Sequence, residues 1–313
     1  MTTPEAKARQ NIDAQLRACG WVIQDRTAMN LYAGQGVAVR EFPLDTGYAD
    51  YLLFVDRKAV GVIEAKKEGV HLTIAEGQAG SYTAGLPNNI PHVELPLPFV
   101  YESTGVETFF RDNRDPDPCS RRVFSFHRPE TLAEWLSQED TLRGRLNTMP
   151  VKHPIVKGNL WKAQVETIEN LEQSFANNQP RSLIQMATGS GKTFTAVNFV
   201  YRLIKHAKAK RVLFLVDRNN LGRQTFKEFD QFVTPDDGRK FSELYNIQHL
   251  QSNALDDISK VHITTIQRLY SMLSGEGEFD SANEEASLWD MESVLSRQPE
   301  KVVSLFFSGL FGW

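Results

Sequence analysis

The chain has only two cysteines, Cys19 and Cys119, in 313 residues. They lie too far apart to suggest a disulfide framework or a thiolate metal site, and such sparse use of cysteine points to a reducing compartment. Long apolar runs are also missing. Tyr51 to Val55 and Val212 to Val216 are far too short to span a bilayer, and no apolar stretch of signal-peptide type follows Met1. A cytoplasmic location and no membrane partner are expected. No charge of one sign dominates: 35 Lys and Arg stand against 39 Asp and Glu, a formal net charge of -4. That balance leaves nucleic acid open as a partner, because a basic groove can be local. The 7 histidines show neither H-E-x-x-H nor Cys/His spacing, so a zinc site is not expected. Repeats and low-complexity segments are absent too. What remains, 41% hydrophobic and 24% charged, is the composition of a globular chain long enough for about two domains.

The chain begins with a helix signal. Thr3-Pro4-Glu5 reads as an N-cap followed by Pro at the first helical position, and Gly20 is a C-terminal stop, so a helix is expected over 4–19. Ile12, Leu16 and Cys19 form its apolar stripe, while Lys7, Arg9 and Asp13 face elsewhere. Short strands rich in β-branched and aromatic residues are expected over 37–42, 48–55 and 59–66. The polar stretch from Arg111 to Pro118 reads as a loop, followed by a helix from Pro129 to Leu136. Between Arg145 and Gly158 the pattern lapses through Pro150, His153 and Pro154. Beyond it apolar strands alternate with helices: strand 182–186, helix 192–206, strand 211–216. That alternation predicts a parallel sheet. The expected domains are 1–148 and 149–313, both α/β.

The strongest chemical signal is Ala187-Thr188-Gly189-Ser190-Gly191-Lys192-Thr193 between an expected strand and an apolar helix. Glycines let backbone amides turn onto phosphate oxygens, and the helix N-terminus adds its dipole. Lys192 can reach the β- and γ-phosphates, and Thr193 can hold Mg²⁺. Met186 stands where the strict phosphate-loop pattern wants glycine. The segment resembles the nucleotide loop of superfamily two helicases and translocases. That resemblance implies ATP as ligand and a RecA-like lobe. It implies that Gln164 reads adenine, and that Arg218 (after the strand 212–216) and Thr264-Thr265 (before Gln267) contact DNA. A surface glutamine and an ordinary strand end are the plainer readings of these last residues.

A second constellation lies nearer the start. Asp50 sits on one expected strand, and Glu64-Ala65-Lys66 ends the next, so Glu64 and Lys66 share a face. A three-residue turn at Asp56-Arg57-Lys58 would set Asp50 opposite Glu64. Two facing carboxylates repel unless a hard cation joins them, which suits Mg²⁺. A neighbouring lysine can orient or deprotonate the attacking water. Acid and lysine two apart are also common on solvated sheet faces. The D-x(13)-E-x-K spacing resembles the PD-(D/E)xK nucleases, with Ala49 in place of the usual proline. Gln78 and Tyr82 resemble the Q-x-x-x-Y element of the nuclease domains of type I restriction motor subunits, and imply DNA placement. Glu41 and Glu5 are further acidic candidates, each with an ordinary alternative on an edge strand or at a helix start.

Taken together, the chain resembles the N-terminal part of the R (motor and endonuclease) subunit of type I restriction enzymes. The resemblance implies a PD-(D/E)xK domain followed by an incomplete RecA-like lobe. It implies Mg²⁺-dependent cleavage of double-stranded DNA coupled to ATP-driven translocation, in a complex with methyltransferase and specificity subunits. No strand ending in an Asp-Glu box follows Thr193, and no second lobe with its arginines. Very weak ATP hydrolysis is therefore expected. The uncharged, aromatic-rich ending after about Val303 suggests a truncated or frame-shifted product. Two other classes stay open: a DNA- or ATP-binding module without catalysis, and a remnant of a superfamily two helicase.

Overall fold

The computed structural model describes residues 4–45, 47–69, 72, 85–87, 89–179 and 181–275. Two compact units divide at Thr141/Leu142. No helix among the described residues is long and apolar enough to cross a membrane.

The first unit is built on a seven-stranded sheet whose spatial order follows the chain. Helix α1 (Pro4–Ala18) precedes β1 (Val22–Asp25), β2 (Gly36–Leu44), β3 (Gly47–Val55), β4 (Lys58–Ala65), β5 (Phe99–Ser103), β6 (Thr108–Asp112) and β7 (Arg121–Val123). Helix α2 (Pro129–Leu136) follows. The pairs β1/β2 and β4/β5 are parallel, and the others are antiparallel. Each face of the sheet carries a core. Ile12, Leu16, Tyr51, Leu53, Ile63, Phe99 and Tyr101 fill one, and Val37, Val39, Leu52, Phe54, Val62 and Val100 fill the other. Strands β4 and β5 approach so closely at Gly61 that a Cβ there would lie 2.2 Å from the Phe99 carbonyl oxygen.

Two local features correct the expected hairpin. The turn between β3 and β4 holds two residues, Asp56 and Arg57, both with positive φ, and Val55 pairs with Lys58. This is the primed turn that matches strand twist. A register shift between Leu53 and Phe54 then restores the pairing Tyr51↔Ile63. Asp50 therefore reaches Glu64 through a two-residue turn plus a bulge, and not through a three-residue turn. The segment from Arg111 also begins inside β6, so the loop starts later than expected.

The second unit contains α3 (Leu142–Lys152), α4 (Lys162–Ala176), α5 (Lys192–Lys205), β8 (Val212–Val216), α6 (Asn219–Gln231), α7 (Phe241–Leu244), β9 (Ile247–His249), β10 (Val261–Thr265) and α8 (Ile266–Ser274). The described strands form a parallel sheet in the order β8-β10-β9. The lapse expected around Pro150 is in fact helical. Buried Leu146 and Met149 anchor α3, and the helix ends just past its proline, so few backbone bonds are lost.

The expected strand 182–186 is not one. Leu183 is 96% exposed, and Ile184 and Met186 line an apolar cavity of about 240 Å³ with Ile168, Leu171, Phe199 and Val200. A buried parallel strand needs ladder partners on its edges. Among the described residues β8 pairs with β10 alone, so nothing there pairs with 182–186.

At the end of α5, His206 stacks on His153 with ring centroids 4.1 Å apart. Burial, then the charges of His153 and Arg202, lower the His206 pKa to about 4 from its ordinary 6.5. The folded state thus resists a proton that the unfolded chain accepts. Stability is expected to be undiminished above about pH 6.5 and to fall as pH drops toward 4. Urea midpoints at several pH values should show this slope in the wild type and a flatter one in His206→Gln.

Candidate functional site

The first site lies where the β2–β3 ladder is out of step. On β2, Val37, Val39, Phe42 and Leu44 all face one core, and on β3 so do Ala49, Leu52 and Phe54. The two-residue alternation therefore slips by one residue in each strand. The slip coincides with Glu41, whose φ is +47°, and with Asp50. The flanking pairs Arg40↔Tyr51 and Phe42↔Ala49 set these two acidic residues across from each other. Neither core claims them, so both are left for polar work.

Asp50 is held from two sides. Its Oδ2 accepts the Ala65 amide at 2.8 Å, and its Oδ1 accepts Arg9 NH2 at 2.5 Å. The Ala65 bond ties Asp50 to the end of β4, where Glu64 and Lys66 form an ion pair with each other. Asp50, Glu64 and Lys66 thus form one group, each with less than a third of its side chain exposed. Glu41 joins through Arg9, whose NH1 donates to Glu41 Oε1 at 2.8 Å. Burial works against the charge on Arg9, yet Asp50 and then Glu41 hold its pKa above the ordinary guanidinium value. Glu102 is in register with Glu64 on the neighbouring strand and is itself buried. Burial, reinforced by the charge on Glu64 and opposed by Lys66, raises its pKa.

These are hard oxygen donors, the chemistry that suits Mg²⁺. Among the described residues no three His, Cys, Asp or Glu side chains could hold a metal ion between them. The donors therefore fit a cation that takes one or two carboxylates and completes its shell with water and substrate phosphate. Sequence reasoning missed Arg9 and Glu102. The helical spacing signalled only that Arg9 leaves the core, and Glu102 is visible only once β4 and β5 are paired. Gln78, Tyr82 and the side chain of Glu5 lie outside the described residues.

The second site is the loop before α5. Gly189 and Gly191 have φ of +80° and +78°, which lets Ala187 to Gly191 curl back toward the helix start. A Cβ on Gly191 would meet Gln164 Nε2 at 2.5 Å. Gln164 is buried on α4, donates to the Ser190 carbonyl at 3.0 Å and accepts the Trp161 amide, so it is tied to the loop. Lys192 Nζ donates to the carbonyls of Met186 and Ala187 at 3.3 and 3.2 Å. Thr188 and Gly189 are exposed, and Ser190 and Thr193 half-buried. A buried ion pair bolts α4 to α5: Arg202 NH2 donates to Glu172 Oε2 at 2.9 Å and to the His153 carbonyl at 2.5 Å.

Beyond the loop, Arg218 is half-exposed beside Asp217. Thr264 and Thr265, the expected DNA contacts, lie inside the fold. Both are 1% exposed, and the Thr265 hydroxyl accepts the Arg268 amide as the N-cap of α8. The Thr265 hydroxyl is thus spent on the fold. Gln267 is buried too and donates to the Asp217 carbonyl at 3.2 Å.

Residues 26–136 match the family described as type I restriction enzyme EcoKI endonuclease subunit second domain. Residues 157–292 match type III restriction enzyme, res subunit. The chain is 29% identical over 316 residues to the type I restriction enzyme EcoKI endonuclease subunit of Escherichia coli K12, covering 85% of this chain and 27% of that one. It is 28% identical over 207 residues to the EcoAI endonuclease subunit of Escherichia coli, covering 61% and 25%. A solved fragment of an HsdR subunit of a type I restriction enzyme from Vibrio vulnificus YJ016 is 20% identical, with a TM-score of 0.32, covering 88% of this chain and 49% of that one. The chain spans about a quarter of the length of these curated relatives. The resemblance read from the motifs is thus borne out by homology over most of the chain.

Proposed function

We propose that this chain, a homologue of type I restriction enzyme endonuclease subunits, carries the nuclease centre and the ATP-binding lobe of such a subunit. The supporting observation is the bond from the Ala65 amide to Asp50, which gathers Asp50, Glu64 and Lys66 at one end of β3 and β4. In this reading the first unit is a PD-(D/E)xK nuclease domain and the second a RecA-like superfamily two lobe. The substrate is double-stranded DNA, and the partners are methyltransferase and specificity subunits.

Asp50 and Glu64 are the residues that would hold Mg²⁺. The bound ion supplies Lewis acidity toward the phosphodiester and a water of lowered pKa. Asp50 is oriented for this by the Ala65 amide on Oδ2, which leaves Oδ1 for the ion. Lys66, paired with Glu64, orients the attacking water and offsets charge that develops on the phosphate. Supercoiled DNA incubated with the chain should be nicked in Mg²⁺ and left intact in EDTA. Intact DNA under both conditions would favour the alternative, a binding module without catalysis.

In the second unit, Thr188 to Thr193 cradle the ATP phosphates, Thr193 supplies a hydroxyl for Mg²⁺, and Gln164 braces the loop through the Ser190 carbonyl. Lys192 exchanges its two carbonyl partners for phosphate oxygens. Lys192→Ala is expected to weaken binding of a fluorescent ATP analogue by about 10- to 100-fold, the worth of a hydrogen bond to a charged group. Unchanged affinity would remove the loop from the proposal.

A further inference from the structure

The carboxylates of the nuclease centre already have a cation. The guanidinium of Arg9 forks between Glu41 Oε1 at 2.8 Å and Asp50 Oδ1 at 2.5 Å, two oxygens on neighbouring strands. It arrives from α1, whose Ala8, Ile12 and Leu16 are buried, so the base of the side chain is fixed while its end stays 41% exposed. The fit is incomplete, because Arg9 Nε is buried without a hydrogen-bond partner. A buried donor left unpaired disfavours this arrangement. The contrast with Arg202, which is buried and paired bidentately with Glu172, is plain. Arg202 is a bolt. Arg9 is a half-exposed charge spanning the acidic residues at the ladder slip, with one nitrogen left unsatisfied.

We propose that Arg9 is a tethered counter-ion of this centre, which spans Glu41 and Asp50 and must be displaced from Asp50 Oδ1 when a divalent ion binds Asp50 and Glu64. The inference rests on the nuclease reading and adds a residue to it. A divalent ion brings twice the charge and takes carboxylate oxygens at about 2.0–2.1 Å, too close for the guanidinium to keep the same Oδ1. The exchange makes the idle centre electrically quiet and sets a threshold for metal. Glu41 becomes part of the centre because it shares the displaced cation.

The test is direct metal binding by the full chain, read as loss of the free Mn²⁺ signal in electron paramagnetic resonance. Removing one fixed positive charge a few ångströms from the ion should tighten Mn²⁺ binding about tenfold in Arg9→Gln. Arg9→Lys, whose single ammonium cannot fork between both carboxylates, should fall between Gln and wild type. It carries the test alone if calorimetry shows that the Gln variant does not fold. Asp50→Asn should abolish the binding in both backgrounds. Equal or weaker Mn²⁺ affinity in both Arg9 variants, with Asp50→Asn still abolishing it, overturns the role of Arg9 and leaves the metal centre standing. Absence of Mn²⁺ binding from every protein overturns both.

Discussion

Asp50→Ala is expected to abolish Mg²⁺-dependent nicking of supercoiled DNA, and Lys66→Ala to slow it by about 10²- to 10⁴-fold, the usual contribution of a positioned proton-transfer group. Asp50 carries two duties, one structural and one chemical. Through Oδ2 it accepts the Ala65 amide and ties β3 to the end of β4, and through Oδ1 it meets a cation. Asp50→Asn separates these duties, because an amide oxygen still accepts the Ala65 bond while the negative charge is lost. If the chemistry needs the charge, the Asn variant should melt like wild type and cleave no better than Ala. Lys66 lies just beyond β4 and pairs with Glu64, so its loss leaves the sheet intact and acts on the reaction alone. Equal nicking by wild type, Asp50→Ala and Lys66→Ala would place the cleavage elsewhere or in a contaminant.

Glu172→Ala should cause the largest loss of stability in the second unit. Glu172 is 1% exposed and Arg202 7%, and the pair is bidentate with charge-assisted bonds of 2.5 and 2.9 Å. Removing one partner strands the other charge in the interior, at a cost of about 3–5 kcal/mol. For a unit of this size the loss corresponds to a drop of about 6–20 °C in Tm, measurable by calorimetry. The double change Glu172→Met with Arg202→Met should recover much of it, since an apolar pair carries no stranded charge. Only the His153 carbonyl, which accepts Arg202 NH2, would stay unpaired. The effect should reach nucleotide binding, because the same two helices carry Gln164 and Lys192. A single variant within about 1 kcal/mol of wild type would show that the site is wet or relaxes.

The helices were legible where local chemistry is decisive. A proline at the first turn and a glycine past the end frame α1, and Pro129 opens α2. The same logic failed at Pro150, because burial of Leu146 and Met149 outweighs one lost backbone bond near a helix end. At Asp56–Arg57 the expected alignment of Asp50 with Glu64 holds by a different route, since the bulge at Leu53/Phe54 compensates the shorter turn. The run 182–186 has the composition of a buried strand, yet composition cannot supply the neighbour whose edge it would need.

The residue types determined the chemistry by themselves. Glycines with Lys192 and Thr193 before an apolar helix can serve phosphate, and Asp50, Glu64 and Lys66 at strand spacing can serve a hard cation, because these properties belong to local backbone and side-chain groups. Tertiary structure alone decided who shares the sites. Arg9 comes to Asp50 from 41 residues away. Glu102 lies beside Glu64 only through strand pairing, and the hydroxyl of Thr265 is consumed by a helix cap. The reason is physical: a side chain's neighbours across a sheet or beneath a helix depend on register and packing, which no local pattern encodes.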